Sequence, residues 1–323
     1  MSKPCRCLLD TTQPDLKAIV QDYLSTLLPE DRTEEPVYRE RLQACLACTE
    51  LDSGTCRLCG CYVEARAGKR NQHCPRIPDQ WNFASKGDFP MSLTPKDIAS
   101  MLDHSTLQPY LTEDDIRRGA QIALKYGTAS MCARPCDVPI MAEMLKGSPV
   151  KVCTVIGFPH GAHETAIKVA EARLALEEGC EELDMVINIG KLLHGDTNYV
   201  RNEIRQIVDL AHASSAIVKV IIETCYLNDE QKVLACHLSE EAGADFVKTS
   251  TGYGSKGCTI EDLKLMRAAV SPAVRVKGSG GIRDLDTVLQ ARAAGASRCG
   301  VSATEKIMAE AEARYAEGTL REL

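Results

Sequence analysis

No stretch of this 323-residue chain stays apolar for the roughly 20 residues that a membrane-spanning helix needs. A continuous apolar segment is also missing from MSKPCRCLLDTTQPDLK at the N-terminus, where acids and prolines interrupt it. No secretory signal is therefore expected, and the chain is assigned to the cytoplasm. Basic charge is in deficit too: 38 Lys and Arg stand against 45 Asp and Glu, giving a net charge of −7 and an isoelectric point near 5.6. Coating nucleic acid takes an excess of cations on one face, so that class is set aside. What remains, 44% hydrophobic and 26% charged positions, is an ordinary globular composition with room for one large domain and something smaller.

Cysteine is plentiful, and its distribution divides the chain. Eight of the 16 cysteines precede residue 75, and six of those form one tight series, Cys45, Cys48, Cys56, Cys59, Cys61 and Cys74. In a reducing compartment they read as metal ligands or buried thiols rather than disulfides. The stretch PRIPDQWNFASKGDFP, residues 75 to 90, then marks a boundary. We expect residues 1–90 to form an N-terminal extension with a module core at 41–81, and residues 91–323, beginning at Met91, to form a second domain.

From residue 92 onward, short β-branched runs alternate with amphipathic helical stretches through eight rounds. The strand candidates are residues 101–107, 129–133, 151–158, 182–188, 217–224, 245–251, 274–280 and 297–303. Several intervening helical patterns end in glycine, at Gly127, Gly179, Gly243 and Gly295, as a helix C-terminus would. Eight strand–helix units in this length predict an α/β fold, a closed parallel (β/α)8 TIM barrel preceded by a small cysteine-rich metal-binding module. An open doubly wound sheet is the alternative.

Such a barrel gathers its active site at the C-terminal ends of its strands. Asp184 in ELDMVIN, Lys248 in DFVKTST and Lys277 in VRVKGSG are charges where a strand should bury neutral side chains. A buried ion pair is the structural alternative; two lysines held together suggest amine chemistry. A second ammonium about 6 Å away, at an effective dielectric near 20, disfavours the charged form of its neighbour by roughly 2.8 kcal/mol. Gly280 and Gly281 follow the seventh strand and Ser302 follows the eighth, where barrels of this kind cradle phosphate; Thr251 and Gly252 after the sixth would complete the cradle.

The runs KVCTVIGFPHGAHE, EELDMVINIGKL, VKVIIETCYL, GADFVKTSTGYG and VKGSGGIRD resemble deoxyribose-phosphate aldolases, in that order, across residues 95 to 310. The resemblance implies reversible cleavage of 2-deoxy-D-ribose 5-phosphate to D-glyceraldehyde 3-phosphate and acetaldehyde, in deoxyribonucleotide and carbohydrate catabolism. It implies a lysine Schiff base and no cofactor for the aldolase chemistry. Lys248 matches the Schiff-base lysine, Lys277 the lysine that assists it, and Asp184 the proton-relay aspartate. Asp103 is a plausible second carboxylate near the substrate, and Lys219 and Glu223 are expected to line or brace the site. Partners are small phosphosugars and aldehydes, with no membrane, no nucleic acid and a homo-oligomeric assembly. Two positions depart from the family pattern: Ala303 stands where members often carry a second serine, and Tyr253 where some carry Lys and others Phe. They leave open a Schiff-base aldolase acting on a related aldehyde or phosphosugar. A scaffold protein with a vestigial barrel is a third reading, against which the intact Lys248, Lys277 and Asp184 count. Cys132 either faces the pocket or is a small core residue.

In the N-terminal region, two CxxC pairs point thiolates at one cation, and a structural zinc held by Cys45, Cys48, Cys56 and Cys59 is the simplest expectation. Cys61 and Cys74 are close enough to replace two of them. The segment resembles short zinc-binding modules with sequences like GTCRLCGCYVEARA. Before it, LKAIVQDYLSTLL carries an apolar stripe suited to docking on the barrel or forming a dimer contact.

Overall fold

The computed structural model describes residues 16–28, 31–76, 80–81 and 93–323. The chain divides into two units, Met1–Ser92 with Glu317–Arg321, and Leu93–Ala316 with Glu322–Leu323. The expected boundary at residue 90 and the start at Met91 lie outside the described residues.

In the first unit, helices Leu16–Ser25 and Glu35–Leu46 precede a two-stranded hairpin, Leu51–Asp52 and Thr55–Cys56, and the short helix Val63–Ala67. Among the described residues its buried apolar side chains are few: Val20, Leu24, Val37, Tyr62, Val63, Ala67, Cys74, Trp81 and Leu320. Leu24 packs so closely on Gly68 that a Cβ there would lie 2.3 Å from Leu24 Cδ2. The stripe of LKAIVQDYLSTLL is thus spent at least partly inside this unit. Arg41 stacks 4.6 Å from the Trp81 ring centre and donates to Thr33 Oγ1 and the carbonyls of Ala67 and Lys69. A buried guanidinium is tolerable here because three oxygen acceptors and the Trp81 ring face offset part of its desolvation.

The second unit is a closed barrel of eight parallel strands: β1 Leu102–Thr106, β2 Ser130–Ala133, β3 Lys151–Ile156, β4 Glu182–Val186, β5 Ile217–Ile221, β6 Phe246–Lys248, β7 Arg275–Ser279 and β8 Arg298–Val301. Each lies inside its predicted run, and β8 pairs back onto β1 through Cys299 and Leu102. Closure buries the strands on both sides, which is why they read as nearly continuous apolar runs instead of alternating ones. The open-sheet alternative is excluded by this closure.

Several outer helices start where side-chain caps satisfy free backbone N–H groups. Thr112 with Asp115 and Asn228 with Gln231 form reciprocal capping boxes at helices Glu113–Tyr126 and Asp229–Glu241. Helix Glu113–Tyr126 stops at Gly127, whose φ of +65° is the left-handed geometry that glycine adopts without penalty. Caps and turns therefore fix where each helix hands the chain back to the barrel, and with it the loops over the strands' C-terminal ends.

Candidate active site

Strand position sets the height of each charged side chain inside the barrel. Glu182 and Arg298 open β4 and β8, Asp103, Asp184, Lys219 and Lys277 sit within β1, β4, β5 and β7, and Lys248 closes β6. The ladders place Asp184 beside Lys219 and Lys248 beside Lys277. Asp184 Oδ1 accepts from Lys219 Nζ at 2.7 Å, and its Oδ2 accepts from both Lys248 and Lys277, each at 2.7 Å. Lys277 also donates to Asp103 Oδ2 at 2.5 Å, and Asp103 in turn pairs with Arg298. Glu182 closes the network with Lys219 at 2.6 Å and Arg298 at 3.1 Å.

These seven groups comprise four cations and three carboxylates. Loss of one proton therefore makes the cluster neutral. Burial pushes the Asp184 carboxyl up, but Lys219, Lys248 and Lys277 more than reverse that and hold it well below the usual carboxylate range. Asp103 is held low in the same way, by Lys277, Lys219 and Arg298. Burial lowers Lys277 and Lys219, yet the facing carboxylates keep both above the ordinary lysine value. Asp184 is thus an anion and Lys277 a cation at neutral pH, and Lys248 is the member of the network that opens upward.

Above Lys248 lies a cavity of about 450 Å³ lined by the loops that follow β1, β6, β7 and β8. Thr251, Gly252, Gly280, Gly281 and Ser302, all expected around a phosphate, line it together with Lys248. Gly280 has φ +83°, and a Cβ on it would lie 3.0 Å from Gly257 Cα, so only glycine allows the two backbones this approach. The lining includes the cations Lys248 and Arg283 and no carboxylate, which suits an anionic ligand. Arg283 was passed over in the sequence, although GSGGIRD places a basic residue directly after the glycine turn.

Other expectations fall differently. Asp103, expected to touch substrate, is fully buried, does not line the cavity and is committed to Lys277 and Arg298. Lys219 belongs to the network below the cavity. Glu223 is separate from it: its carboxylate accepts from the N–H and hydroxyl of Thr251, and its φ of +54° is strained for a non-glycine residue. It braces the loop after β6. Cys132 lies in a small buried cluster with Cys153 and Val155, not in the cavity lining. Tyr253 spans the cavity mouth, its hydroxyl donating to the Leu107 carbonyl at 2.8 Å and its ring edge-on to Phe158.

Among the described residues, the one group of three ligand atoms mutually within 4.8 Å is Cys132, Cys153 and Asp184. A metal there would face the ammoniums already bonded to Asp184, and Lys219 donates to Cys153 Sγ as well. Asp184 belongs to the charged network and Cys153 is hydrogen-bonded to it, and the cations around them do not fit a metal ion. In the N-terminal unit, Cys45, Cys48 and Cys56 line one small cavity; Cys59, expected as the fourth ligand, is not in its lining, whereas Cys74 is.

A closed parallel barrel with a lysine under an anion-friendly pocket, backed by a lysine–aspartate pair, defines an enzyme of amine-based carbonyl chemistry. The chain belongs to the DeoC/LacD aldolase family, whose pattern matches residues 98–309. Residues 2–81 match a family of unknown function, DUF6171. A deoxyribose-phosphate aldolase from Rhodopirellula baltica is 50% identical over 215 residues, 67% of this chain and 89% of that protein. One from Thermococcus gammatolerans is 51% identical over 214 residues, 66% of this chain and 95% of that protein. The tetrameric deoxyribose phosphate aldolase structure from Aeropyrum pernix covers 67% of this chain and 92% of its own, with TM-score 0.63 and 35% identity.

Proposed function

We infer that the barrel catalyses reversible cleavage of 2-deoxy-D-ribose 5-phosphate to D-glyceraldehyde 3-phosphate and acetaldehyde, through an imine on Lys248. The observation that carries the reading is Lys248 Nζ, under an anion-friendly cavity and 2.7 Å from the Asp184 oxygen that also holds Lys277.

The neutral Lys248 amine adds to the C1 aldehyde of the open-chain sugar, and loss of water leaves a protonated imine. As the C3 hydroxyl gives up its proton, the C2–C3 bond breaks and its electron pair moves into the imine, giving an enamine and releasing D-glyceraldehyde 3-phosphate. Protonation at C2 restores the imine, and water then frees acetaldehyde and Lys248. Asp184 and Lys277 hold and return protons at Lys248 Nζ, the role their shared oxygen suits. Gly280, Gly281, Ser302, Thr251 and Arg283 receive the phosphate and so fix the carbonyl over the amine.

Tyr253 favours a second reading, a related aldehyde or phosphosugar as the better substrate. Where a lysine would add charge at the cavity mouth, its phenol is tied to Leu107 instead. Steady-state cleavage rates on deoxyribose 5-phosphate and a panel of related sugars separate the two, and a protein inactive on all of them would sink both.

In the N-terminal unit we infer a structural zinc, supported by the cysteine spacing and by thiols gathered around one cavity. The free thiols among the described residues support a cytoplasmic protein, and the tetrameric relative supports a homo-oligomer. No helix among the described residues is long and apolar enough to cross a membrane.

A further inference from the structure

Three separate segments of the N-terminal unit bring thiols to the lining of one cavity. Cys45 lies in the last turn of helix Glu35–Leu46, and Cys48 follows in a turn closed by its N–H donating to the Cys45 carbonyl at 3.1 Å. Cys56 ends the second hairpin strand. Cys74 comes from the loop beyond the last helix, where its N–H donates to the Trp81 carbonyl at 2.9 Å. All four line one cavity of about 20 Å³, space for a single ion or water.

N–H donors stand against two of these sulfurs. Trp81 Nε1–H donates to Cys45 Sγ at 3.2 Å, and the Arg76 guanidinium donates to Cys48 Sγ at 3.7 Å. Such donors to sulfur are the outer partners that orient thiolate ligands around a bound metal. Four thiolates around a divalent ion leave a net charge of −2, and Arg66 and Arg76, both in the lining, oppose it. Cys59 and Cys61 are outside that lining: Cys61 Sγ donates to the Cys59 carbonyl at 3.6 Å and accepts from Arg66 at 3.7 Å.

Resting on the metal reading of this unit, we propose that Cys45, Cys48, Cys56 and Cys74 together bind one zinc-class divalent cation as a tetrathiolate, with Cys59 and Cys61 outside the coordination. Soft thiolates in tetrahedral array select such an ion. Zn–S bonds near 2.3 Å require sulfurs about 3.8 Å apart. These thiols are not three at a time within 4.8 Å of one another, so the ion draws them inward. A change of staggered rotamer moves a thiol sulfur by about 3 Å, enough for that closure. The ion then cross-links helix, hairpin and loop in a unit whose buried apolar side chains among the described residues are few, and its binding energy becomes folding energy.

The test uses the full chain. Elemental analysis gives the metal per chain, and maleimide labelling with mass mapping is run before and after a chelator. The expected pattern is about one zinc, with Cys45, Cys48, Cys56 and Cys74 protected until the chelator is added and Cys59 and Cys61 labelled throughout. In cobalt-loaded protein, C59S and C61S should keep the thiolate-to-cobalt absorption, while C56S and C74S lower cobalt affinity at least tenfold. Metal bound with Cys59 protected and Cys74 labelled would overturn the ligand set alone. A chain that takes up no metal overturns the zinc reading itself, and iron–sulfur absorption in the purified protein overturns the zinc class.

Discussion

Lys248 and Lys277 face one another across the β6–β7 ladder, and both ammoniums lie 2.7 Å from a single oxygen, Asp184 Oδ2. Only Lys248 of the pair lines the cavity; Lys277 is turned beneath it toward Asp103. The two lysines are therefore equivalent in register and different in access, and access decides which of them meets a carbonyl.

Borohydride added with deoxyribose 5-phosphate should attach a reduced adduct to Lys248 and to no other lysine. Peptide mapping reads the position. An adduct on Lys277 would reverse the two roles, and an active enzyme that gives no adduct would remove the imine mechanism.

Asp184→Asn takes one carboxylate away from three ammoniums and leaves the network with four cations and two anions. Breaking a buried ionic contact from one side costs about 3–5 kcal/mol, and loss of a proton-transfer group lowers turnover about 100-fold or more. Urea denaturation and kcat on the same sample check both. Wild-type stability in this variant would mean that the network is not balanced through Asp184.

His104 gives the protein an acid-sensitive step. Burial pushes its imidazole down to about 4, while its Nδ1 lies 2.9 Å from Thr304 Oγ1. Between that value and about 6.5 the unfolded chain binds a proton that the folded one refuses, so stability falls as pH falls through this window. The full effect is roughly 3 kcal/mol. Asp103 and Asp184, both depressed, act lower down: their contribution is complete above about 4 and is lost only as pH drops further. Denaturation midpoints at pH 7, 5.5 and 4.5 should decline in the wild type and stay nearly level in His104→Asn between about 6.5 and 4.5.

Arg283→Ala should raise KM for deoxyribose 5-phosphate by about 10- to 100-fold, the range of a lost charge-assisted hydrogen bond. Unphosphorylated 2-deoxyribose should be cleaved as before. An equal loss on both sugars would place Arg283 in the chemistry or in the fold instead of at the phosphate.

A chain that begins at Met91 should fold and retain most of its cleavage activity. The eight strands close without any residue from before 93, and every group of the charged network lies after residue 100. A folded but inactive barrel would show that the N-terminal unit completes the site or its assembly.

The order and type of the barrel elements were legible because each signal is local. Eight β-branched runs, helix caps such as Thr112 and glycine stops such as Gly127 act over a few residues, whatever the rest of the chain does. Asp184, Lys248 and Lys277 were legible for a related reason: a charge inside an apolar run contradicts its own strand. What the network is made of was not legible. Strand alternation tells which residues share a face, but the stagger that closes a barrel decides which strands meet at one height, and that brings Asp103, Glu182 and Arg298 under Lys277 and Lys219. The same distinction governs the cysteines. Spacing along the chain favours Cys59 beside Cys56, because a CxxC turn is local; the fold brings Cys74 to the cavity from a loop held to Trp81. Sequence fixes which residues are chemically capable, and packing at long range decides which of them share an oxygen, a cavity or an ion.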